Sequence, residues 1–512
     1  MCSNCFKMNR RDFVALASLG LAAPNLLASS SSYIGGKLEW DPDLPMVQTG
    51  KELIVQPLLR HQIESRRNQT SWRNWGDVHT EQAALEEAAR INKELQALKQ
   101  KADFPLKILP VERATTDEQA VSISQKEGYD LMLLYAAGSN YEKGLDPCIA
   151  LGRFNLIFLR HQSGPLYDFY ENAHNRFLRV GGKDFEYDQL RYYGGMGPDD
   201  IIVDDYDEIL WRVRSFYAVQ NLLGRKIVAL GGASGKGCPR APEVAQDKFK
   251  MDIVEISYDD LKKRISSAKS DGTLKHDVEK LTERYLKIEG TNLNTKVEFI
   301  SNAFLLYHIF KGYMRENNVT AFTIRQCMRV IIPISETTAC LPLSLLNDEG
   351  YLAFCESDFT AIPAGILLHH VSGKPVFLNN PTFPHKGIVT CAHCTCPRRM
   401  DGKNYNAVEI TTHYESDYGA APKVTIPPGQ KVTIINPDAS QKRWLGFVGE
   451  IEENPYLPIC RSQQEVKILG DWKRLIKEIR GSHWLMAYDN CVRDMDYATK
   501  KAGLDFLNLS EA

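Results

Sequence analysis

The sequence predicts an α/β protein: two Rossmann-like doubly wound domains followed by a β-rich, barrel-like C-terminal domain. Three observations point there. From about Lys51, short apolar runs alternate with helical stretches, as when buried parallel strands are joined by crossover helices. At 222–238 an apolar run enters a glycine-rich turn, LLGRKIVALGGASGKGC, and the pattern restarts. After about residue 365 the texture changes to short β-type segments punctuated by Pro and Gly, such as KVTIPPGQKVTIINPD. The expected boundaries are 45–220, 221–365 and 366–512, behind a leading segment 1–32.

Each element has its own signal. ELIVQPLL (52–59), FPLKILPV (104–111), YDLMLLYAA (129–137) and FNLIFLRH (154–161) are continuous apolar runs and predict strands. Residues 80–101 carry helix formers with apolar positions three and four apart, which predicts a helix. Further helices are expected at 259–268, 276–288 and 294–316, and a strand or strand–helix transition at 320–331. The turn at 231–238 lacks both G-x-x-x-x-G-K-[ST] and G-x-G-x-x-G, so it predicts a strand-to-helix turn rather than a nucleotide site. The final stretch from about 462 predicts strand, helix, strand and helix.

The leading segment reads MNRRDFVALASLGLAAP from Met8 to Pro24: paired arginines, Asp12, Phe13, a modest apolar run, then small residues. This predicts a twin-arginine export signal, with a short N-terminal helix as the alternative. The expected destination is periplasmic or extracytoplasmic, without stable membrane insertion after signal removal. The composition is that of an ordinary globular chain, 43% hydrophobic and 25% charged with a net charge of −2. That near-neutral balance argues against nucleic acid or an anionic membrane as main partner. The twelve cysteines are too dispersed for a disulfide scaffold, and a buried thiol is by default a small hydrophobe.

The densest group of candidate ligands is Cys391, His393, Cys394 and Cys396 in GIVTCAHCTCP. A structural zinc site needs a second pair nearby, and a thioredoxin-type centre needs a helix N-terminus; neither is present. In a strand, 391 and 393 face one way and 394 and 396 the other, which splits the set. His393 alone suits a site whose other donors come from separate strand ends. Glu356 and Asp358 in FCESDF follow an apolar strand, where α/β sites gather, although the same residues make good helix caps.

The stretch CLPLSLLNDEGYLAFCESDFTAIPAGILLHHVSGKPVFLNNPTFPHKGIVTCAHCT resembles the L-fucose isomerase and L-arabinose isomerase superfamily, and NYNAVEITTHYESDYGAA and LIKEIRGSHWLMAYDN continue the likeness. It covers roughly residues 220–507. The resemblance implies two Rossmann-like domains and a β-barrel domain, assembly as a trimer or hexamer, and Mn²⁺ or a similar divalent metal. It implies a sugar or sugar-derivative substrate and aldose–ketose interconversion through a cis-enediol. Carried over residue by residue, it makes Glu356, His393 and His483 metal ligands and puts Asn379 where the family has a carboxylate that binds metal and moves a proton. With Asp358 these give the expected catalytic set Glu356, Asp358 and Asn379.

Asn379 is a departure. Its carbonyl oxygen can coordinate a cation, but an amide is no base near neutral pH. Asp358, Glu336 and Glu415 are the substitutes to test. The alternatives are a lyase, epimerase or hydrolase on the same fold, or a non-catalytic sugar-binding protein. His413 and Glu415 in HYES, and Trp72 and Arg73 in SWRNWGD, are expected to contact substrate. Arg398 and Arg399 read as a solvated basic turn, and His369 and His370 as packing.

Overall fold

A computed structural model describes residues 38–138, 144–167 and 196–510. The expected export signal, 1–32, lies outside the described residues. The chain folds as two compact units: Gly50–Gln220, and Asn221–Ala512 together with the segment leading up to Thr49.

In the first unit, strands β1 (Leu53–Arg60), β2 (Leu106–Ile108), β3 (Glu112–Ala114), β4 (Leu131–Ala136), β5 (Phe154–Leu159) and β6 (Ile201–Val203) form one sheet. Its order is β2-β1-β4-β5-β6, with β3 also on β1, and every pairing is parallel. Helix Glu81–Lys101 begins where Thr80 caps it: the Thr80 hydroxyl accepts from the Ala83 amide. Its buried stripe Ala84, Ile91, Leu95 and Leu98 follows the predicted spacing. A buried ion pair, Arg160 to Glu87 at 2.6 Å, lies within this unit.

The second unit starts with β7 (Lys226–Leu230), β8 (Asp252–Ile256), β9 (Thr291–Leu293), β10 (Ala321–Ile324) and β11 (Leu352–Phe354). Four of these make a parallel sheet, β11-β10-β7-β8. The predicted helices appear as Tyr258–Lys269, Gly272–Leu286 and Val297–Glu316. The transition expected at 320–331 is β10 followed by a π-helical turn, Cys327–Ile331.

The β-rich part holds β12 (Phe377–Pro381), β13 (Ile388–His393), β14 (Val408–His413), β15 (Tyr418–Val424), β16 (Lys431–Asn436), β17 (Arg443–Glu453), β18 (Ser462–Leu469), β19 (Trp484–Tyr488) and β20 (Asp505–Asn508). The order β16-β19-β12-β13-β18-β17 closes through β16–β17 pairing into an antiparallel barrel. Closure satisfies both strand edges. β20 adds in parallel to β17 and extends the predicted closing elements by one strand. β14 and β15 leave the barrel and pair with β9. One hydrophobic cluster runs through both parts of this unit, from Val228 and Phe322 to Phe377, Ile434 and Trp484. Trp484 is fully buried and meets Phe447 edge-on, with ring centroids 5.8 Å apart. Burial of such a ring contributes about 2–3 kcal/mol and pins β19 where it leaves residue 483. Among the described residues no single helix is long and apolar enough to cross a membrane.

Candidate metal centre

Four chain segments of the second unit meet at the carboxyl ends of β7 and β11. Glu356 follows β11 by two residues, in a left-handed conformation with φ 64°, and Ser357 after it has φ 47°. Two consecutive non-glycine residues there cost energy that surrounding contacts must hold in place. The glycine-rich turn after β7 supplies those contacts: the Ser234 amide donates to the Ser357 carbonyl at 3.2 Å, and the Phe359 amide to the Ser234 carbonyl at 3.0 Å. His393 ends β13, held by pairing with Ser462 on β18. His483 precedes β19.

Ligand atoms of Glu356, His393 and His483 all lie within 4.8 Å of one another. Nε2 of His393 is 3.5 Å from Glu356 Oε1, and Nε2 of His483 is 3.5 Å from Oε2. The two imidazoles are 6% and 0% exposed and the carboxylate 40%, so the acid stands at a mouth with the rings behind it. At 3.5 Å the first contact is too long for a good hydrogen bond, and His393 Nε2 is buried with no hydrogen-bond partner. Its Nδ1 meets the Thr395 hydroxyl at 3.2 Å.

Asp358 is fully engaged. Its Oδ2 lies 2.7 Å from His483 Nδ1, and its Oδ1 accepts from the amides of Lys236 at 2.9 Å and Thr360 at 3.1 Å. Its backbone carbonyl accepts from the Ile362 amide, but helix Ile362–Ser372 has Ala361 at its N-cap and no side-chain cap, so the helix-cap reading of Glu356 and Asp358 is corrected. Lys236, which sequence reasoning did not single out, enters the same cluster. Its Nζ is 3.3 Å from Glu356 Oε2, 3.2 Å from His483 Nε2 and 3.0 Å from Asn380 Oδ1. The turn that delivers it is tight: a Cβ on Gly235 would lie 2.2 Å from the Cys238 carbonyl oxygen.

Burial opposes charge on all three candidate ligands, and their surroundings decide the outcome. Glu356 is held well below the ordinary carboxylate range because its two imidazole neighbours outweigh desolvation. His393 is pushed down by burial, against the pull of Glu356. His483 is lifted, because Asp358 and Glu356 outweigh its desolvation. That lift would protonate Nε2, yet a lysine amine 3.2 Å away offers hydrogens and no acceptor. The contact with Lys236 therefore favours an Nε2 lone pair, with the proton on Nδ1 toward Asp358.

Asn379 lies on β12 opposite Trp484, wholly buried; its Nδ2 donates to the Phe377 carbonyl at 3.2 Å and its Oδ1 is partnerless. Asn380, one position on, reaches Lys236. His413 ends β14, where a ring nitrogen sits with the sulfurs of Cys340 and Cys394. Glu415 is exposed on the following turn. Trp72 and Arg73 fall in the first unit, where the guanidinium lies over the indole at 5.2 Å from its centre. The carboxylate–imidazole cluster draws on second-unit residues alone.

Some expectations are corrected. Glu336 is no substitute base: its exposed carboxylate pairs with Lys269 at 2.8 Å. Arg398 and Arg399 are buried, not solvated; they donate to carbonyls of Glu289, Asn406, Leu44 and Gly402. Buried guanidinium groups take such partners because each has five hydrogens to place. His369 and His370 are packed in their helix, as expected. Cys391 and Cys396 belong to the hydrophobic cluster, whereas Cys394 leaves it for a separate one with Cys340.

No protein-family model matches this chain, and no curated protein matches it either.

Proposed function

We propose that Glu356, His393 and His483 hold a divalent cation, Mn²⁺ by preference, and that the protein is a metal-dependent enzyme of the sugar-isomerase type. Its substrate is a sugar or sugar derivative and its route an enediol-type one, an intramolecular oxidation–reduction. The observation that carries this is Nε2 of His393, buried and partnerless within 4.8 Å of an ionised carboxylate and a second imidazole. Lone pairs crowded in this way repel unless a positive charge stands between them. A mixed oxygen and imidazole set suits Mn²⁺, Fe²⁺ or Zn²⁺. When bound, such an ion draws neighbouring sugar oxygens into register and stabilises charge developing on them.

The side chains divide the remaining work. Asp358 fixes the His483 ring, and Thr395 can accept from His393 Nδ1, so both Nε2 lone pairs turn toward Glu356. Asn379 offers a neutral oxygen and moves no proton. Asp358 already accepts from three groups, so it acts as a positioning residue. The proton task falls to Lys236, whose side chain is 41% exposed and able to turn toward a substrate at the mouth. Assembly as a trimer or hexamer and export by the twin-arginine route go with this reading.

Lys236 also favours a second reading. Its amine bridges Glu356 and His483, where a cation would stand, as in a sugar-binding protein or a metal-independent lyase, epimerase or hydrolase. Metal analysis and solvent exchange separate the two. With Mn²⁺-loaded protein and a panel of aldoses in D₂O, deuterium appearing at C1 of the ketose product, or at C2 of recovered aldose, supports the enediol route. Turnover without exchange supports the second reading, and saturable binding without turnover supports a binding protein.

A further inference from the structure

We infer that Cys340, Cys394, Cys460 and His413 build a second cation site, suited to Zn²⁺ or another thiophilic divalent ion. The sulfurs of Cys340 and Cys394 and a ring nitrogen of His413 lie within 4.8 Å of one another, and all three residues are buried. Cys460 packs against this group. His413 is 6% exposed, and its Nδ1 has no hydrogen-bond partner. Cys394 Sγ accepts from the backbone amide of Arg461 at 3.4 Å. The loop bearing Cys460 and Arg461 is held in place, since Arg461 Nε donates to the Thr412 carbonyl at 2.7 Å, next to His413. None of the three cysteines joins a disulfide.

Thiols are weak donors and weak acceptors, so a buried nitrogen gains little from sitting among them. Three thiolates and one imidazole, by contrast, are a complete ligand set for a closed tetrahedral zinc site. The two clusters also sort by chemistry: oxygen and nitrogen around Glu356, sulfur and nitrogen here. Binding releases three S–H protons to solvent as three metal–thiolate bonds form. The donors come from helix Cys340–Asp348, the residue after β13, the end of β14 and the segment before β18. A cation here ties these four together, and because Cys394 directly follows His393, the tie steadies that ligand's backbone.

The test uses the full chain, purified reduced, stripped with chelator and titrated with Co²⁺. Thiolate ligands give a near-ultraviolet charge-transfer band that the sulfur-free Glu356 cluster cannot produce. One equivalent of Co²⁺ should develop the band, and Zn²⁺ should abolish it. Cys340→Ser and Cys394→Ser should each weaken metal retention at least ~10-fold, while Glu356→Gln leaves the band intact. If either buried variant fails to fold, Cys460→Ser, at a partly exposed position, should still shift and diminish the band. The proposal is overturned if the reduced chain gives no thiolate band or if the band survives Cys394→Ser. A Cys394 disulfide in the purified chain, with no band after its reduction, overturns it too.

Discussion

Nδ1 of His483 lies 2.7 Å from Oδ2 of Asp358, both side chains essentially without solvent exposure, and this contact turns Nε2 of the ring toward Glu356. It makes Asp358 the orienting partner of a ligand. Replacing it with Asn puts an amide that can donate where the acceptor stood, so the ring loses its fixed tautomer. Asp358→Asn is expected to weaken Mn²⁺ binding about 10–100-fold while the fold is retained, as read by chelator competition alongside circular dichroism.

Lys236 competes for the same donors, with Nζ 3.3 Å from Glu356 and 3.2 Å from His483 Nε2. Lys236→Met removes a positive charge from the cation's place. Mn²⁺ affinity should rise by about 10-fold, the scale of one lost like-charge neighbour worth ~1.4 kcal/mol. Sugar turnover should fall in the same variant if the amine handles the proton. Calorimetric titration of Mn²⁺ and a turnover assay give the two readings.

Strain beside the ligand is separable from ligation. Ser357 has φ 47°, and its buried hydroxyl has no partner. Ser357→Gly removes both costs, so unfolding free energy should rise by about 1 kcal/mol with Mn²⁺ stoichiometry unchanged. Urea denaturation of the two proteins measures it.

Asp348 gives a pH signature. It is buried, one carboxylate oxygen accepts from the Arg399 amide at 2.8 Å, and the other is partnerless. Burial pushes its carboxyl up to about 7. The folded state therefore binds this proton more tightly than the unfolded chain does. The stabilisation is complete below the unfolded value near 4 and is lost as pH rises through about 7, by an upper bound of ~4 kcal/mol. Asp348→Asn should flatten this fall: its stability relative to the parent should be greater at pH 8 than at pH 4, read as the difference in Tm at the two pH values.

Much of this arrangement is visible in the sequence because its signals are local. Continuous apolar runs mark β1, β4 and β5, and Thr80 marks the start of its helix. Glu356 and His393 each stand at the end of a readable strand, and His483 at the start of one. Lys236 was not legible, since its partners Asp358, Asn380 and His483 lie 122, 144 and 247 residues away, and a lysine in a glycine-rich turn looks solvated. The partners of Cys394 were hidden for a related reason. Strand alternation separates it from His393, but only the tertiary fold brings Cys340 and His413 to its face. Arg398 and Arg399 carry no sequence mark of burial, because two of the carbonyls that receive them, those of Glu289 and Leu44, lie 109 and 355 residues away. Helix caps and ligand carboxylates share one sequence pattern, and the Asp358 side chain takes neither role: it orients the His483 ring instead.

Mn²⁺ stoichiometry in the parent chain and in Glu356→Ala, His393→Ala and His483→Ala tests the three-residue centre most directly, because a hard ion reads it without interference from thiols. After equilibration with Mn²⁺ and desalting, one ion should remain per parent chain, with little or none in each variant. A parent chain that keeps no Mn²⁺, or a His393→Ala chain that keeps it undiminished, would contradict the assignment.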